Sequence, residues 1–165
     1  MIRLVSLAEV DEDAVEQLLD RAFEPTRRTR TAYKVRGPAR AVAALSFAAL
    51  QDDALVGTVQ CWPVRFAPDA GAAVPLVMVG PVAVAPERQR DGIGRLLMDR
   101  ALAAAAVAGE ENLVLIGDPE YYGRFFGFTA ERTAGWRLPG PVEAHRLLAR
   151  GARVPAGPGL LGPAA

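Results

Sequence analysis

The residues of this chain best suited to chemistry lie between Gln89 and Gly94, in the run Gln89-Arg90-Asp91-Gly92-Ile93-Gly94. An apolar segment, Val74 to Ala85, leads into it through Pro86, and a helical pattern follows. A strand that delivers a glycine-rich turn to a helix N-terminus is suited to holding phosphate. The first N–H groups of such a helix have no internal partner, and its dipole favours negative charge. Two glycines allow close backbone approach and angles that a Cβ would penalise. Two other residues offer less. His145, the only histidine, lies in the strand-like segment Val142 to Arg150 without a second ligand, so it reads as a surface or packed residue. Cys61, the only cysteine, stands beside Trp62 and reads as a small buried residue. A lone cysteine permits neither an intramolecular disulfide nor a cysteine metal cluster.

The elements that must position these residues are visible in the pattern. Ile2 to Val5 reads as a strand. Asp11 offers an N-cap to a helix whose apolar positions are Val10, Ala14, Val15, Leu18, Leu19, Ala22 and Phe23, and Pro25 marks its end. Thr26 to Arg40 carries six basic residues and no acid. It reads as a solvated connecting segment with a short helix around Thr29 to Val35, the alternative being a rim that meets an anionic acceptor. Ala41 to Leu50 and Leu55 to Phe66 flank Gln51-Asp52-Asp53-Ala54 as the arms of a hairpin. Val74 to Ala85 is a third long strand interrupted by Gly80-Pro81, where proline in so apolar a strand predicts a bulge that opens a slot beside it.

Beyond the glycine run, Ile93, Leu96, Leu97, Ala101, Ala104 and Ala105 repeat at helical spacing up to Gly109. Asn112 to Ile116 reads as a buried strand. Gly117-Asp118-Pro119 starts a helix carrying Tyr121, Tyr122, Phe125 and Phe126, with Asp118 as N-cap and Pro119 at the first helical position. A hairpin-like region follows from Phe128 to about Arg150. Residues 151–165 are rich in Gly, Ala and Pro and suggest a tail without structure of its own, after a single domain over residues 1–150.

Composition narrows the function classes. With 165 residues, 51% of them apolar and 23% charged, the chain has the make-up of a globular domain. Its formal net charge of zero supplies no bulk field for nucleic acid or an acidic membrane. The longest uncharged run, Ala70 to Pro86, is broken by Pro75, Gly80 and Pro81 and is shorter than the ~20 residues of a membrane span. No basic n-region followed by an apolar stretch precedes Glu9. The expectation is a cytoplasmic protein, monomeric or homodimeric, with no nucleic-acid or membrane partner.

Known phosphate loops differ in what they require. A dinucleotide fingerprint needs a third glycine where this chain has Leu97, and a Walker A loop needs Gly-Lys-Ser/Thr, yet the only lysine is Lys34. Gln89-Arg90-Asp91-Gly92-Ile93-Gly94 instead resembles Q/R-x-x-G-x-G/A, the signature of the GNAT superfamily of N-acetyltransferases. The preceding Val-Ala-Val-Ala-Pro, the following Arg-Leu-Leu-Met, the Gly80-Pro81 break and the later Tyr-Tyr ahead of Gly127-Phe128 agree with it. The resemblance spans roughly Ile2 to Arg150. Gly117-Asp118-Pro119-Glu120-Tyr121-Tyr122 ahead of Gly127-Phe128 is similar to a bacterial subgroup of the family.

The resemblance implies an α/β GNAT fold, a central mixed sheet of about seven strands flanked by helices. Its fourth and fifth strands, here Val74–Ala85 and Asn112–Ile116, splay apart around the pantetheine arm of acetyl-CoA, the co-substrate. It implies that backbone groups of Val82, Ala83 and Val84 pair with the pantetheine amides. Gln89, Arg90, Asp91, Gly92, Ile93, Gly94 and Arg95 would cradle the pyrophosphate, and the Val82 N–H would face the thioester carbonyl. It implies direct attack by a primary amine of a small molecule, peptide or protein, without a covalent enzyme intermediate and without a metal. The proton donor to the departing thiolate would be Tyr122, or Tyr121. Packing of both tyrosines with Phe125 and Phe126 is the alternative. Two classes stand beside this one: a CoA-binding module without acetyl transfer, and an acyltransferase using another acyl-CoA.

The chain departs from the family pattern in three places. Tyr122 lies five residues before Gly127 where many members have four, as though Phe125-Phe126 held one extra residue. Gly117-Asp118 stands where many members have asparagine. Val74 to Ala85 contains no carboxylate to serve as base. Glu87, Asp118 and Glu120 are nearby acids, for which capping and turn roles are expected.

Overall fold

The computed structural model describes residues 1–165 as a mixed α/β chain. In chain order its elements are β1 (Ile2–Ser6), α1 (Glu12–Phe23), α2 (Thr31–Arg36), β2 (Phe47–Gln51), β3 (Ala54–Pro68), β4 (Val74–Val84) and α3 (Ile93–Ala108). They continue with β5 (Leu113–Ile116), α4 (Pro119–Phe126), β6 (Trp136–Arg137), β7 (Leu147–Arg150) and β8 (Gly159–Pro163). The sheet has eight strands rather than about seven, in the order β1-β2-β3-β4-β5-β7, with β8 pairing β3 and β6. β4 runs parallel to β5, as β6 does to β8. Two compact units divide the chain: residues 1–28, 41–61 and 80–109 form the first, and residues 29–40, 62–79 and 110–165 form the second. No helix is long and apolar enough to cross a membrane.

In the first unit β1 pairs with β2 from Ile2↔Gln51 to Ser6↔Phe47, and β2 turns back into β3. The hairpin turn is tighter than the four residues the sequence suggested. Only Asp52 and Asp53 are unpaired, both left-handed with φ of 50° and 65°. This primed geometry matches the twist of the flanking strands, and aspartate tolerates it better than most residues. Helix α1 buries Val15, Leu18 and Leu19 against Ala83 and Ala85 of the β4 end, with Val10, Ala22 and Phe23 around them.

Two local expectations change here. Asp11 holds the N-cap position of α1, but its side chain accepts no hydrogen bond. The side-chain cap forms one turn earlier, where Ser6 and Glu9 make a reciprocal capping box around a 3-10 turn. The basic segment after Pro25 is not simply solvated. Arg27 is only 1% exposed, its Nε 3.1 Å from Asp20 and its Nη2 3.4 Å from Glu16 on α1. Arg28 reaches the same Glu16 at 3.3 Å. A guanidinium suits such burial because its planar fork serves two carboxylates at once.

Helix α3 buries Ile93, Leu97, Met98, Ala101 and Ala105, and left-handed Gly109 ends it. Leu96 was expected on this face but is exposed, and Met98 lies inside instead. Docking of α3 on the sheet depends on Gly57 of β3. A Cβ there would fall 2.8 Å from Ile93 Cγ2, 3.0 Å from Leu97 Cδ1 and 3.1 Å from the Ala83 carbonyl oxygen.

In the second unit β5 is paired with β7 from Leu113↔Arg150 to Ile116↔Leu147, and with β4 over two positions only, Val77↔Leu113 and Met78↔Val114. The two ends of the region 128–150 meet in one antiparallel bridge, Thr129↔Ala149, but between them β7 joins β5 and the two-residue β6 joins β8. The glycine-, alanine- and proline-rich end is not structureless either, since β8 pairs antiparallel with Val64–Pro68 of β3. Gly159 is needed there, because its absent side chain leaves room for the Phe66 ring, which stacks on Trp136 with centroids 4.2 Å apart. The Arg36 guanidinium of the basic segment lies 3.8 Å from the centroids of both Tyr33 and Trp62.

Gly57→Ala is expected to destabilise the chain by about 1–3 kcal/mol, since neither a backbone carbonyl nor two buried side chains can yield without cost. Urea unfolding measures it, and an unchanged midpoint contradicts this account of how α3 is seated.

Candidate functional site

The first unit brings together the stretch from Val82 to Arg95. The Ala85 N–H donates to the Val56 carbonyl at 2.9 Å. β3 and β4 are sheet neighbours joined by the turn after Pro68. In such an antiparallel pair the bond sets Val56 opposite Ala85 and, carried one step along the ladder, Thr58 opposite Ala83 and Val59 opposite Val82. Alternation then turns the N–H and C=O of Ala83 towards β3 and those of Val82 and Val84 away from it. Of the three backbone positions expected to meet a pantetheine arm, Val82 and Val84 face the open direction and Ala83 does not. The break ahead of them is a cis Gly80–Pro81 peptide with Gly80 at φ 130°.

The side chains alternate the other way. Ala83 and Ala85 are buried against α1, whereas Val82 and Val84 lie under the first turn of α3. A Cβ on Gly94 would be 3.7 Å from Val82 Cγ1 and 3.6 Å from Val84 Cγ2, ordinary contact distances. The helix start thus lies directly over this strand, with room for no more than a Cβ between. Gly92 is left-handed, φ 76°, in open surroundings, so its constraint is conformational. The N–H groups of Gly92, Ile93 and Gly94 donate to no backbone acceptor in the chain, and the first return bond of α3 is Leu96 N–H to the Gly92 carbonyl at 3.1 Å. Three donors at a helix start, with the dipole behind them, form an anion-binding surface. Gln89, Arg90 and Arg95 are exposed along it.

Sequence reasoning missed what stiffens this loop. Arg88 N–H donates to the Ala85 carbonyl at 2.8 Å and Asp91 N–H to the Arg88 carbonyl at 3.2 Å. The Arg88 guanidinium holds the Asp91 carboxylate through Nε and Gln51 of β2 through Nη1. The pairing offsets a negative charge that would otherwise oppose an anion at this turn. The i,i+3 spacing of Arg88 and Asp91 was in the sequence; Gln51 was not foreseeable from it.

The second unit carries both tyrosines on α4. Asp118 caps the helix as expected, its Oδ1 accepting the Glu120 N–H at 3.0 Å, and Pro119 follows. Tyr122 is half-buried against Gly117. A Cβ on that glycine would fall 2.6 Å from a Tyr122 ring carbon. Glycine in place of the family's asparagine is thus what gives this tyrosine its room. Phe128 N–H donates to the Tyr122 carbonyl, six residues back, at 3.2 Å. The helix closes on an ordinary i→i−4 bond, Gly127 N–H to the Gly123 carbonyl at 3.2 Å, and left-handed Gly127 at φ 73° turns the chain out of it. Tyr121 and Tyr122 meet edge-on at 5.0 Å, and Tyr121 also contacts the rings of Phe125 and Phe126. Both tyrosines take part in aromatic packing.

Other candidates are accounted for. Glu87 is bound by Arg21 at 2.6 Å, and that hydrogen bond lowers its pKa. His145 is exposed and lies in a 3-10 turn, not a strand. Its Nε2 lies 3.4 Å from the carboxylate of Glu143. No three His, Cys, Asp or Glu side chains come together in a way that could hold a metal ion.

A family model described as "Acetyltransferase (GNAT) domain" matches residues 2–130. The chain belongs to the GNAT acetyltransferase family. No curated protein matches the sequence. Among solved structures, the GNAT family N-acetyltransferase YhbS of Escherichia coli, in complex with CoA, is 23% identical with a TM-score of 0.72, covering 98% of this chain and 88% of that one. A GNAT family acetyltransferase from Brucella melitensis, in complex with acetyl-CoA, is 29% identical with a TM-score of 0.58, covering 92% and 97%. Eis1 of Mycobacterium abscessus is 19% identical with a TM-score of 0.58, covering 87% of this chain but 37% of its own.

Two buried groups of this GNAT chain resist ionisation. Burial pushes the Cys61 thiol from 9.0 up to about 12 and the Tyr122 phenol from 10.0 up to about 12. Cys61 is therefore no nucleophile near neutrality. Tyr122 stays protonated there, the state that donation requires. Because each folded pKa lies above the unfolded value, the native chain holds these protons more tightly. Their contribution is complete below the unfolded values and is lost as the pH rises towards about 12. The urea midpoint is expected to fall through this alkaline window, and Cys61→Ala and Tyr122→Phe should each flatten part of the decline. A midpoint insensitive to pH across the window contradicts the burial of both groups.

Proposed function

We propose that this chain is a cytoplasmic N-acetyltransferase, a monomer or homodimer, that moves the acetyl group of acetyl-CoA to a primary amine. The observation that carries the reading is the set of unpaired Gly92, Ile93 and Gly94 N–H groups at the start of α3, beside the outward backbone groups of Val82 and Val84. An anionic pyrophosphate suits the former, and an amide-bearing arm suits a strand edge of the latter kind. The CoA and acetyl-CoA complexes of the E. coli and Brucella relatives support the same ligand. Gln89, Arg90, Asp91 and Arg95 complete the pyrophosphate loop, with Arg90 and Arg95 supplying charge. Ala83 contributes by fixing the strand against β3.

Acetyl-CoA supplies an activated thioester: the acceptor nitrogen bonds to the carbonyl carbon, the C–S bond breaks, and one proton moves overall from nitrogen to sulfur. The Val82 N–H is assigned to the carbonyl oxygen. Tyr122 is assigned to the departing thiolate, with Tyr121 in the packed supporting position. The raised pKa of Tyr122 keeps it a neutral hydrogen-bond donor at physiological pH. With no carboxylate on β4 and Glu87 bound to Arg21, the amine arrives neutral or loses its proton to water.

Saturating acetyl-CoA is expected to raise the melting temperature, since it binds only the folded chain. Gly92→Asp should abolish that rise by bringing a carboxylate to the phosphate. No shift for the parent protein refutes the ligand. Tyr122→Phe should lower turnover about 10²–10⁴-fold in a free-thiol assay over an amine panel while leaving the acetyl-CoA shift intact. Full activity in that variant would remove Tyr122 from the role. A shift without turnover for any amine would leave a CoA-binding module.

A further inference from the structure

β3 presents two different faces within the first unit. Gly57 looks towards Ile93 and Leu97 of α3. By the alternation of a strand, Val56, Thr58 and Gln60 look the opposite way, onto the face that Ala83 and Ala85 share with α1. Thr58 is fully buried and Gln60 is 8% exposed. Neither Thr58 Oγ1 nor Gln60 Oε1 has a hydrogen-bond partner in the protein. Buried polar atoms are nearly always paired, because an unpaired one forfeits its hydration for nothing. Nearby polar side chains obey that rule: Ser46 Oγ accepts the Cys61 N–H at 3.0 Å and donates to the Val42 carbonyl at 2.8 Å. Two orphaned oxygens at successive same-face positions of one strand therefore call for a ligand.

We propose that Thr58 and Gln60 form the seat of the acceptor's amino nitrogen. The proposal deepens the acetyltransferase reading and rests on it. Thr58 and Gln60 flank Val59, which faces Val82, the residue assigned to the thioester carbonyl. Ala48 opposite Thr58 offers no donor, and Ser46, just ahead of β2, spends its hydroxyl proton on the Val42 carbonyl. Gln60 Oε1 can only accept, and the Thr58 hydroxyl can accept. Same-face positions are about 6.6 Å apart along a strand, so a nitrogen bearing two protons can reach both oxygens at about 2.9 Å. A primary amine fits; a quaternary ammonium, without N–H, does not.

The seat is also uncharged. Removing an ammonium from water without a carboxylate partner favours its neutral form. The site thereby selects the nucleophilic lone-pair state that a β4 carboxylate would otherwise have to create. Gln60 and Thr58 hold and desolvate the nitrogen; the proton leaves to solvent or, in the overall balance, to sulfur.

The test uses the full chain saturated with acetyl-CoA and titrated with n-butylamine, following the Gln60 side-chain amide by NMR, with tetramethylammonium as the probe lacking N–H. A saturable shift with n-butylamine alone is expected. Gln60→Leu and Thr58→Val should each weaken n-butylamine binding by about tenfold or more while keeping the acetyl-CoA melting shift. Thr58→Val should also leave the free chain at least as stable, because an isosteric methyl replaces an unpaired hydroxyl. No saturable shift, an equal response to tetramethylammonium, unaltered binding in both variants, or a marked loss of stability in Thr58→Val overturns the seat. Failure of acetyl-CoA to shift the parent, with n-butylamine still moving Gln60, would instead overturn the acetyltransferase reading.

Discussion

The start of α3 lies on the sheet with almost nothing between. Gly57 removes the side chain that would hold Ile93 and Leu97 off β3, and the first turn lies over Val82 and Val84. The rest of the first unit depends on that approach. It brings three unpaired N–H groups beside a strand whose own polar groups alternate inward and outward. Had Gly57 carried a side chain, the helix start and the strand edge would be separate features rather than one surface.

The glycine run, its helix and the Asp118-Pro119 helix start were legible in sequence because each is a local device whose partners lie within a few residues. Ser6 and Glu9 carried an equally local signal, the capping-box spacing, for the 3-10 turn ahead of α1. What was illegible was long-range. Nothing near Gly57 announces Ile93, thirty-six positions on. Nothing in the basic run after Pro25 says that Arg27 folds back onto Glu16 and Asp20. The last strand was hidden for a related reason: Gly159 and Pro163 argue against a strand until Phe66 and Trp136 are there to receive it.

Charge within the anion-binding loop is managed rather than merely accumulated. Asp91 stands one residue before the left-handed Gly92, where a bare carboxylate would compete with a phosphate. Arg88 engages it and Gln51 together, so the same guanidinium that neutralises the turn also ties it to the end of β2. Arg90 and Arg95 are exposed on either side of the glycines. On α4 the device is different: Gly117 yields its space to the Tyr122 ring, and burial, more than any nearby charge, raises the pKa of that phenol.

The pairing of Gly159–Pro163 with Val64–Pro68 also sets an order on synthesis. A ribosome delivers β3 roughly a hundred residues before its β8 partner. The hairpin with β2 closes early from its near end, but the Val64–Pro68 portion waits with one hydrogen-bonding edge open until Gly159–Pro163 has emerged. Nascent chains stalled short of residue 159 carry that open edge, an invitation to strand exchange between copies that pairing with β8 withdraws.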